Sequence, residues 1–416
     1  TFDSIYGNDI DTVSVRITRL NMALKYNVPA SSIYEHITEL NYLTNYPSCD
    51  FQYIIGNPPW GYAFSEDEKK ELRTIFKSAS GKNFESYDIF IEQSLHHLSD
   101  HGHLAFVLPE AILNVKAHTQ IREIIRKNCS IKNLDFLGNA FDGVQCPCII
   151  LDLQYTHSAL STLGMNVNTG SDSFTINTER NVRSEYFSFM TTDAEYNVLN
   201  KIKNIKNASF LSGNADFALG IVTGNNKAYI SNEKTNENEM VLKGCDISKY
   251  HINPATNYII FKPESFQQVA PTEMYRAPEK LLYRFISSQL VFAYDDKQTL
   301  SLNSCNIVIP KIPGIKMKYV LSILNSRIAQ FLYKREFNSV KVLRSHIENI
   351  PIPVVDKAIQ DKIISITNKL IAGLEIQEAE LVYDKLDLLI ADIFHLAPAE
   401  FEIIKKAVDG ENKFLA

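Results

Sequence analysis

The first 155 residues alternate short apolar runs with stretches in which apolar residues recur at helical spacing. Runs at 51–55, 102–108, 134–137 and 148–153 predict strands, whereas 88–98 and 112–127 predict helices. Strands that alternate with helices in this way predict a doubly wound α/β sheet.

The pattern changes twice further along the chain. From about 205 to 355, short β-like runs, Gly/Asn turns and scattered prolines predict a mixed α+β domain. From 355 to 395, isoleucines and leucines at near-helical spacing predict one long helix or a helical hairpin. We therefore predict an α/β domain with its connector at 1–200, a second domain at 201–355 and a helical segment at 356–416.

Charge is distributed unevenly over these regions, although the net charge of the 416 residues is only −6. Residues 1–200 hold 15 Lys+Arg and 24 Asp+Glu, a net of −9, and residues 201–350 hold 20 and 12, a net of +8. Residues 351–416 hold 7 and 12, a net of −5. A basic middle region suits contact with phosphates, but a solvated lysine-rich surface would have the same composition.

The sharpest motif is Asn57-Pro58-Pro59-Trp60, which directly follows the apolar run at 51–55 and Gly56. Proline has no N–H and a fixed φ, so this segment cannot continue a strand and predicts a rigid loop at the strand's carboxyl end. Open α/β sheets bind their ligands at that edge. The alternative interpretation is a proline-rich turn anchored by one aromatic side chain.

Residues 5–155 resemble the catalytic domain of the gamma-class adenine-N6 DNA methyltransferases of restriction–modification systems. The order of motifs is the family's: an acidic motif at 7–11, Asn-Pro-Pro-aromatic, a helix, a strand at 102–109 that ends in proline, and a Phe-containing segment at 139–144. The resemblance implies a Rossmann-like domain, S-adenosylmethionine as the methyl donor and double-stranded DNA as the substrate. It also implies direct attack, which needs neither a catalytic cysteine nor a metal.

The resemblance assigns the chemistry to Asn57, Pro58, Pro59 and Trp60. The Asn57 side-chain oxygen and the Pro58 carbonyl would accept hydrogen bonds from the exocyclic amine of an adenine that has been swung out of the duplex. These bonds would free the nitrogen lone pair for attack on the methyl group. Trp60 would stack on one face of the base and Phe141 would pack at its edge or on its opposite face. Phe141 as an ordinary core residue is the alternative.

The resemblance also implies a donor-binding set, which consists of Asp9, Ile10, Asn41, Tyr42, Asn57 and Phe90. Asp9 matches the carboxylate that accepts the ribose hydroxyls, with a helix N-cap at Asp9 or Asp11 as the alternative. Asn41 stands where the family usually has an aspartate, so it keeps an acceptor and loses the charge; a polar turn residue is the alternative. Phe90 would pack near the donor's adenine, or in the core.

The family's glycine-rich loop, which lies under the methionine part of the donor, is missing upstream of Gly7, where six residues stand. We therefore expect a preceding segment in a longer parent enzyme, and whether these 416 residues are active alone stays open. The parent could also carry a fused nuclease or pair with a restriction endonuclease. No segment is long and apolar enough to predict a membrane span, and we expect a cytoplasmic prokaryotic protein.

Short segments at 220–229, 242–247, 278–284, 324–327 and 350–353 resemble, in this order, the target-recognition domain of the same family. Cations in this region would position the duplex through its phosphates. The predicted DNA contacts are Lys243, Lys280, Arg284, Arg335, Lys341 and Arg344. The alternative is unspecific surface charge.

Two other functions remain open at this point. Enzymes that methylate a glutamine of a protein share the Asn-Pro-Pro-aromatic loop, usually with tyrosine, but the long basic region after the catalytic domain argues against them. A non-catalytic DNA-specificity fragment, with a vestigial methyltransferase half, is the other. Binding of the methyl donor distinguishes the enzyme from the fragment.

Overall fold

The chain divides into two compact units, Thr1–Asp193 and Ala194–Ala416, in a computed structural model that describes residues 2–46, 49–81, 84–143, 145–337 and 340–409. Each unit mixes helices with strands and has its own buried apolar cluster. The chain is thus a mixed α/β protein with sheets at its core.

The first unit contains strands and helices at the predicted positions, together with further elements that the alternating pattern did not predict. Its strands are β1 (Gly7–Asp9), β2 (Ile37–Glu39), β3 (Phe51–Gly56), β4 (Leu98–Pro109), β5 (Cys129–Gly138), β6 (Cys148–Tyr155), β7 (Asn166–Asn168) and β8 (Ser173–Thr175). Its helices are α1 (Thr12–Tyr26), α2 (Ala30–His36), α3 (Glu66–Ile75), α4 (Ser86–His96) and α5 (Thr119–Asn128).

Six of these strands form one sheet in the order β3-β4-β6-β5-β7-β8. Strands β3 and β4 are parallel and are joined through α4, whereas β6 runs antiparallel to both of its neighbours. Strands β1 and β2 form a separate parallel pair. The strands predicted at 51–55, 102–108, 134–137 and 148–153 are confirmed, and so is the helix predicted at 88–98.

The helix predicted at 112–127 is shorter than expected. Two 3-10 turns, Glu110–Leu113 and Lys116–His118, precede α5, which begins only at Thr119. Buried Arg122 donates hydrogen bonds to the carbonyls of Ile112 and Val115, which a continuous helix would use within its own ladder. The sequence pattern could not show this tertiary competition for the carbonyls.

The core of the first unit lies against the central strands. Alternate residues of β4 and β6, among them Leu104, Phe106, Leu151 and Leu153, are buried in one cluster. At the sheet edge, β3 instead exposes Tyr53 and Ile55. The loop that follows β3 therefore starts from an open edge of the described sheet.

The second unit carries many short strands and longer helices at its end. Its strands are β9 (Ala208–Ser209), β10 (Ala215–Ala218), β11 (Ile230–Ser231), β12 (Glu239–Leu242), β13 (Tyr258–Ile259), β14 (Lys280–Arg284), β15 (Phe292–Asp295), β16 (Leu300–Ser301), β17 (Cys305–Pro310) and β18 (Ile352–Pro353). Its helices are α6 (Asp193–Lys203), α7 (Asn226–Tyr229), α8 (Thr272–Tyr275), α9 (Met317–Asn325), α10 (Arg327–Glu336), α11 (Arg344–Glu348), α12 (Lys357–Ala372), α13 (Ile376–Ile393) and α14 (Pro398–Val408).

Two four-stranded sheets, β10-β17-β14-β15 and β11-β13-β12-β16, organise this unit. Of the two alternatives predicted at 355–395, one long helix or a helical hairpin, the structure has two helices, α12 and α13. They are separated at Gly373, a residue with φ of 86° that glycine adopts without strain. Leu386 and Ile390 of α13 share a buried cluster with Phe292 and Val308 of the strands. The helical segment therefore belongs to the same compact unit as the strands.

Within the described residue ranges, no helix has the length and apolar character needed to cross a membrane.

Candidate active site

The Asn-Pro-Pro-Trp loop leaves the sheet at the carboxyl end of β3, as its sequence predicts. Gly56 still pairs with Phe106 of β4, and the next residue, Asn57, is exposed. Pro58 is buried and Pro59 is exposed, so the first proline anchors the loop. Within the described part of the chain, the Asn57 side chain makes no hydrogen bond. Its amide is therefore available to a ligand.

Two aromatic side chains meet at this loop. The Trp60 and Phe141 rings lie edge to face, with centroids 5.5 Å apart and planes at 78°. Trp60 is half-buried against the core of the unit, whereas Phe141, in the loop after β5, is 40% exposed. Val144, the last residue of the predicted Phe-containing motif, lies outside the described residues. The two rings are in contact, and Trp60 belongs to the same loop as Asn57.

The acidic motif ends β1 and leads into α1. The Asp9 carboxylate accepts a hydrogen bond from the backbone N–H of Asp11 at 2.9 Å, and the Asp9 carbonyl accepts from the Leu40 N–H at 3.2 Å. Asp11, not Asp9, is the N-cap of α1, since its side chain accepts from the Ser14 N–H at 2.7 Å. Asp9 thus stays at a strand's carboxyl end and is exposed, as is Ile10.

Asn41 and Tyr42 follow β2, whose parallel pairing with β1 brings the two strand ends together. The Asn41 side-chain oxygen accepts from the Leu43 N–H at 3.0 Å, so Asn41 caps its own turn. Tyr42 stacks on Phe90 with ring centroids 5.6 Å apart, and its hydroxyl pairs with Ser94. Burial raises the pKa of Tyr42 to about 12. These contacts place Asn41, Tyr42 and Phe90 side by side.

A group that the sequence analysis missed lies at the start of α4. The buried Ser86 hydroxyl donates to the Pro59 carbonyl at 2.5 Å and accepts from the Tyr62 N–H at 3.3 Å. The next residue, Tyr87, is hydrogen-bonded to His118 Nε2 at 2.9 Å. No motif signals Ser86, because a serine in a first helical turn is common as a local cap.

The Tyr87–His118 pair continues to Asp88. His118 Nδ1 lies 2.9 Å from both Asp88 carboxylate oxygens, and all three side chains are buried. Burial raises the pKa of Asp88, and the hydrogen bond from His118 opposes that shift. Burial also raises the pKa of Tyr87. The chain of hydrogen bonds ties the first turn of α4 to the segment before α5.

The predicted DNA contacts of the second unit differ sharply in accessibility. Lys280 is completely buried: its ammonium donates to Asp295 at 2.5 Å and to the Tyr275 carbonyl at 2.8 Å. Burial lowers the pKa of Lys280 and the Asp295 carboxylate opposes this. The prediction that Lys280 contacts phosphate is therefore wrong, because an ammonium enclosed in a folded core cannot reach a duplex.

The other predicted cations make internal contacts to different degrees. Arg284 donates to the Ile247 carbonyl, Arg335 is paired with Glu195, and Lys243 donates to Asn257 at 2.6 Å. Arg344 and Lys341 are exposed; Arg344 forms an i,i+4 pair with Glu348 at 2.6 Å. Of the six predicted contacts, Lys341 before α11 and Arg344 within it are therefore the most exposed.

Comparison with known families separates the same two regions. Residues 3–141 match the family model described as Eco57I restriction-modification methylase, and residues 239–352 match that of the TaqI-like C-terminal specificity domain. The first match covers β1 to the Phe141 loop, and the second covers most of the strands of the second unit.

Similar proteins include two curated relatives and a solved structure. The type II methyltransferase M.VspI of Vibrio sp. (strain 343) is 30% identical over 250 residues, 59% of this chain and 59% of M.VspI. The type II restriction enzyme and methyltransferase RM.Eco57I of Escherichia coli is 27% identical over 227 residues, 50% of this chain and 22% of that protein. The chain thus spans less than two thirds of either relative.

The type IIL restriction-modification enzyme MmeI, solved in complex with DNA, aligns over 99% of this chain and 66% of its own, with a TM-score of 0.57 and 11% identity. At that identity the likeness concerns the fold. The first unit thus resembles the Eco57I restriction-modification methylases over residues 3–141, and the second unit resembles the TaqI-like C-terminal specificity domain over residues 239–352.

Proposed function

We propose that this chain methylates the N6 amine of adenine at a specific DNA sequence, with S-adenosylmethionine as the donor, within a restriction–modification system. The observation that carries the proposal is the loop after β3, which combines an exposed Asn57 amide without a hydrogen bond in the described residues and Trp60, whose ring contacts Phe141. The name of RM.Eco57I as a restriction enzyme and methyltransferase supports the biological setting.

The Asn57 amide is suited to activating an aromatic amine. Its oxygen and the Pro58 carbonyl would accept the two amine protons, which favours a tetrahedral nitrogen whose lone pair is free to attack. One proton then leaves to solvent, since Asn57 is exposed. The amine and its acceptors must be aligned before reaction, and the rigid Pro58-Pro59 segment provides that order.

The Trp60–Phe141 pair would hold the base outside the duplex. A purine is large and apolar on its faces, so stacking on Trp60 and contact with Phe141 would offset part of the cost of removing it from the helix. Phe141 is 40% exposed, which leaves ring surface for such a contact.

S-adenosylmethionine would supply the methyl group from its sulfonium, which becomes a thioether when the carbon–nitrogen bond forms. The chain's own groups fit it: Asp9 keeps a carboxylate oxygen that is not used by the Asp11 N–H, and Ile10 lies exposed beside it. Tyr42 and Phe90 form an aromatic wall next to Asn41. Asn41 fits less well than an aspartate would, because its side-chain oxygen already accepts the Leu43 N–H.

The specificity domain would position the duplex. MmeI was solved in complex with DNA, and this supports DNA as the macromolecule that the second unit binds. Exposed Arg344 and Lys341 remain our proposed phosphate contacts.

The deciding experiment uses the full-length native protein that contains this sequence. Labelled methyl transfer to mixed-sequence duplex DNA is expected to yield N6-methyladenine, and Asn57→Ala is expected to slow it about 10²–10³-fold at saturating donor. Label in a protein glutamine would overturn the proposal in favour of the glutamine enzyme. The absence of both donor binding and transfer would overturn it in favour of the specificity fragment, and donor binding without transfer to DNA would also contradict it.

A further inference from the structure

The Ser86 hydroxyl is hydrogen-bonded to two backbone groups of the loop that contains Asn-Pro-Pro-Trp. Its Oγ donates to the carbonyl of Pro59 at 2.5 Å and accepts from the N–H of Tyr62 at 3.3 Å. These two backbone groups lie on either side of Trp60 and Gly61. One buried side chain therefore closes the loop around the proposed base-stacking residue.

The hydrogen bonds of Ser86 matter because the loop has free space around Gly61. Gly61 has φ of +65°, and a Cβ there would meet nothing within 4 Å. Glycine moves between backbone regions more readily than any other residue, so Gly61 leaves the backbone next to Trp60 free to rotate unless another contact holds it. Since Pro58 and Pro59 have fixed φ, rotation after Pro59 is the freedom that the Ser86 hydroxyl restricts.

Ser86 itself is held firmly. It begins α4, and the following residues join the buried hydrogen-bond chain from Tyr87 through His118 to Asp88. Buried and fully paired polar networks of this kind fix the groups that they connect. The serine hydroxyl is thus presented to the loop from a rigid base.

We propose that Ser86 is a positioning residue for methyl transfer: it orients the Pro59–Trp60 peptide so that Trp60 and the neighbouring Pro58 carbonyl face the flipped adenine. This proposal rests on the proposed function. Ser86 need not touch the base or the donor, so its loss slows the reaction without removing donor binding.

The kinetic test is Ser86→Ala in the full-length native protein, with Ser78→Ala as the matched control. Ser78 is also buried in the first unit, but its hydroxyl has no hydrogen-bond partner among the described residues. Ser86→Ala is expected to lower kcat about ten- to hundredfold, because small misplacements of reacting groups cost that much, with the dissociation constant of S-adenosylmethionine changed by less than about twofold. Ser78→Ala is expected to leave both unchanged.

A second measurement follows the environment and the mobility of Trp60 and does not depend on methyl transfer. Trp60 is the sole tryptophan of the 416 residues, so the intrinsic tryptophan fluorescence of this chain reports the loop alone. Ser86→Ala is expected to shift the emission to longer wavelength and to lower its anisotropy, whereas Ser78→Ala leaves both as in the unaltered chain.

The outcomes separate the two proposals. An unaltered protein that methylates no DNA defeats the proposed function, and the fluorescence of the variants still decides whether Ser86 orients the loop. Unchanged kcat and unchanged fluorescence in Ser86→Ala overturn the positioning role. Equal changes in Ser86→Ala and Ser78→Ala overturn it as well, since loss of any buried hydroxyl would then be the cause.

Discussion

The loop after β3 and the basic region of the second unit were both predicted to bind the substrate. They differ in how far their predicted residues are exposed and free of internal hydrogen bonds. In the loop, Asn57 is exposed without an internal hydrogen bond in the described residues, and Trp60 meets Phe141. In the basic region, Lys280 is enclosed in the core and Arg335 is paired with Glu195. A motif that constrains the backbone therefore predicted the local structure better than the number of basic residues predicted which side chains are accessible.

The physical reason lies in what each residue type can do when buried. Prolines dictate the local path of the chain wherever they stand. A lysine can equally lie in solvent or, if fully paired, inside a core. Asp295 accepts from Lys280 and from the Thr299 hydroxyl and N–H, so both oxygens of the buried carboxylate have donors. Sequence composition cannot distinguish an exposed lysine from one that is buried and paired.

The largest expected effect comes from the buried pair. Lys280→Ala should lower the free energy of unfolding by about 3–5 kcal/mol, because it leaves the Asp295 carboxylate buried without its partner. Urea denaturation followed by circular dichroism measures it. The control is Lys297→Ala at an exposed position of the neighbouring turn, expected to change stability by less than about 0.5 kcal/mol. A stable Lys280→Ala protein with weakened DNA binding would restore Lys280 as a DNA contact.

The second largest effect is expected on the rate of methyl transfer when the exposed amide of Asn57 is removed. Asn57→Ala should reduce kcat by about 10²–10³, or about 2.7–4 kcal/mol, as expected when one preorganised hydrogen-bonding group is removed from a reacting centre. Single-turnover methyl transfer with saturating donor measures it. Gln52→Ala removes an exposed amide from the same strand and should be neutral. If both variants react alike, the loop is not the reacting site.

Phe141→Ala should weaken capture of the base by about 1–3 kcal/mol, the usual contribution of one base–aromatic contact. The measurement is the fluorescence of 2-aminopurine at the target position, which rises when that base leaves the stack. Leu137→Ala, an exposed apolar residue near the end of β5, is the control. An unchanged signal in Phe141→Ala would mean that Phe141 packs only against Trp60.

The smallest effect is expected at the surface of the second unit. Arg344→Gln should reduce the slope of log affinity against log salt by about 1, because one phosphate contact is lost. Lys369→Gln on α12 removes the same charge from an exposed position that was not predicted to bind. Equal slopes for the two variants and the unaltered protein would remove Arg344 from the proposed interface, as burial removed Lys280.

Hydrophobic periodicity predicted the four longest strands of the first unit and two of its helices, but not α1, α2 or α3. The helix before β5 starts at Thr119 because Arg122 takes the carbonyls of the preceding turns. Asn41 was read as a donor contact with a turn residue as its alternative, and its side chain does cap the turn. Contacts between residues distant in sequence decide such details, and periodicity does not record them.

The sequence by itself determined the four longest strands of the first unit, the helical character of residues 355–395 and the loop that ends β3 at Asn57, because periodicity and proline geometry act locally. Only the tertiary structure decided that Trp60 and Phe141 are neighbours, that Ser86 closes the loop and that Lys280 is internal. Each of these depends on which distant segments pack together, and hence on burial and pairing across the fold.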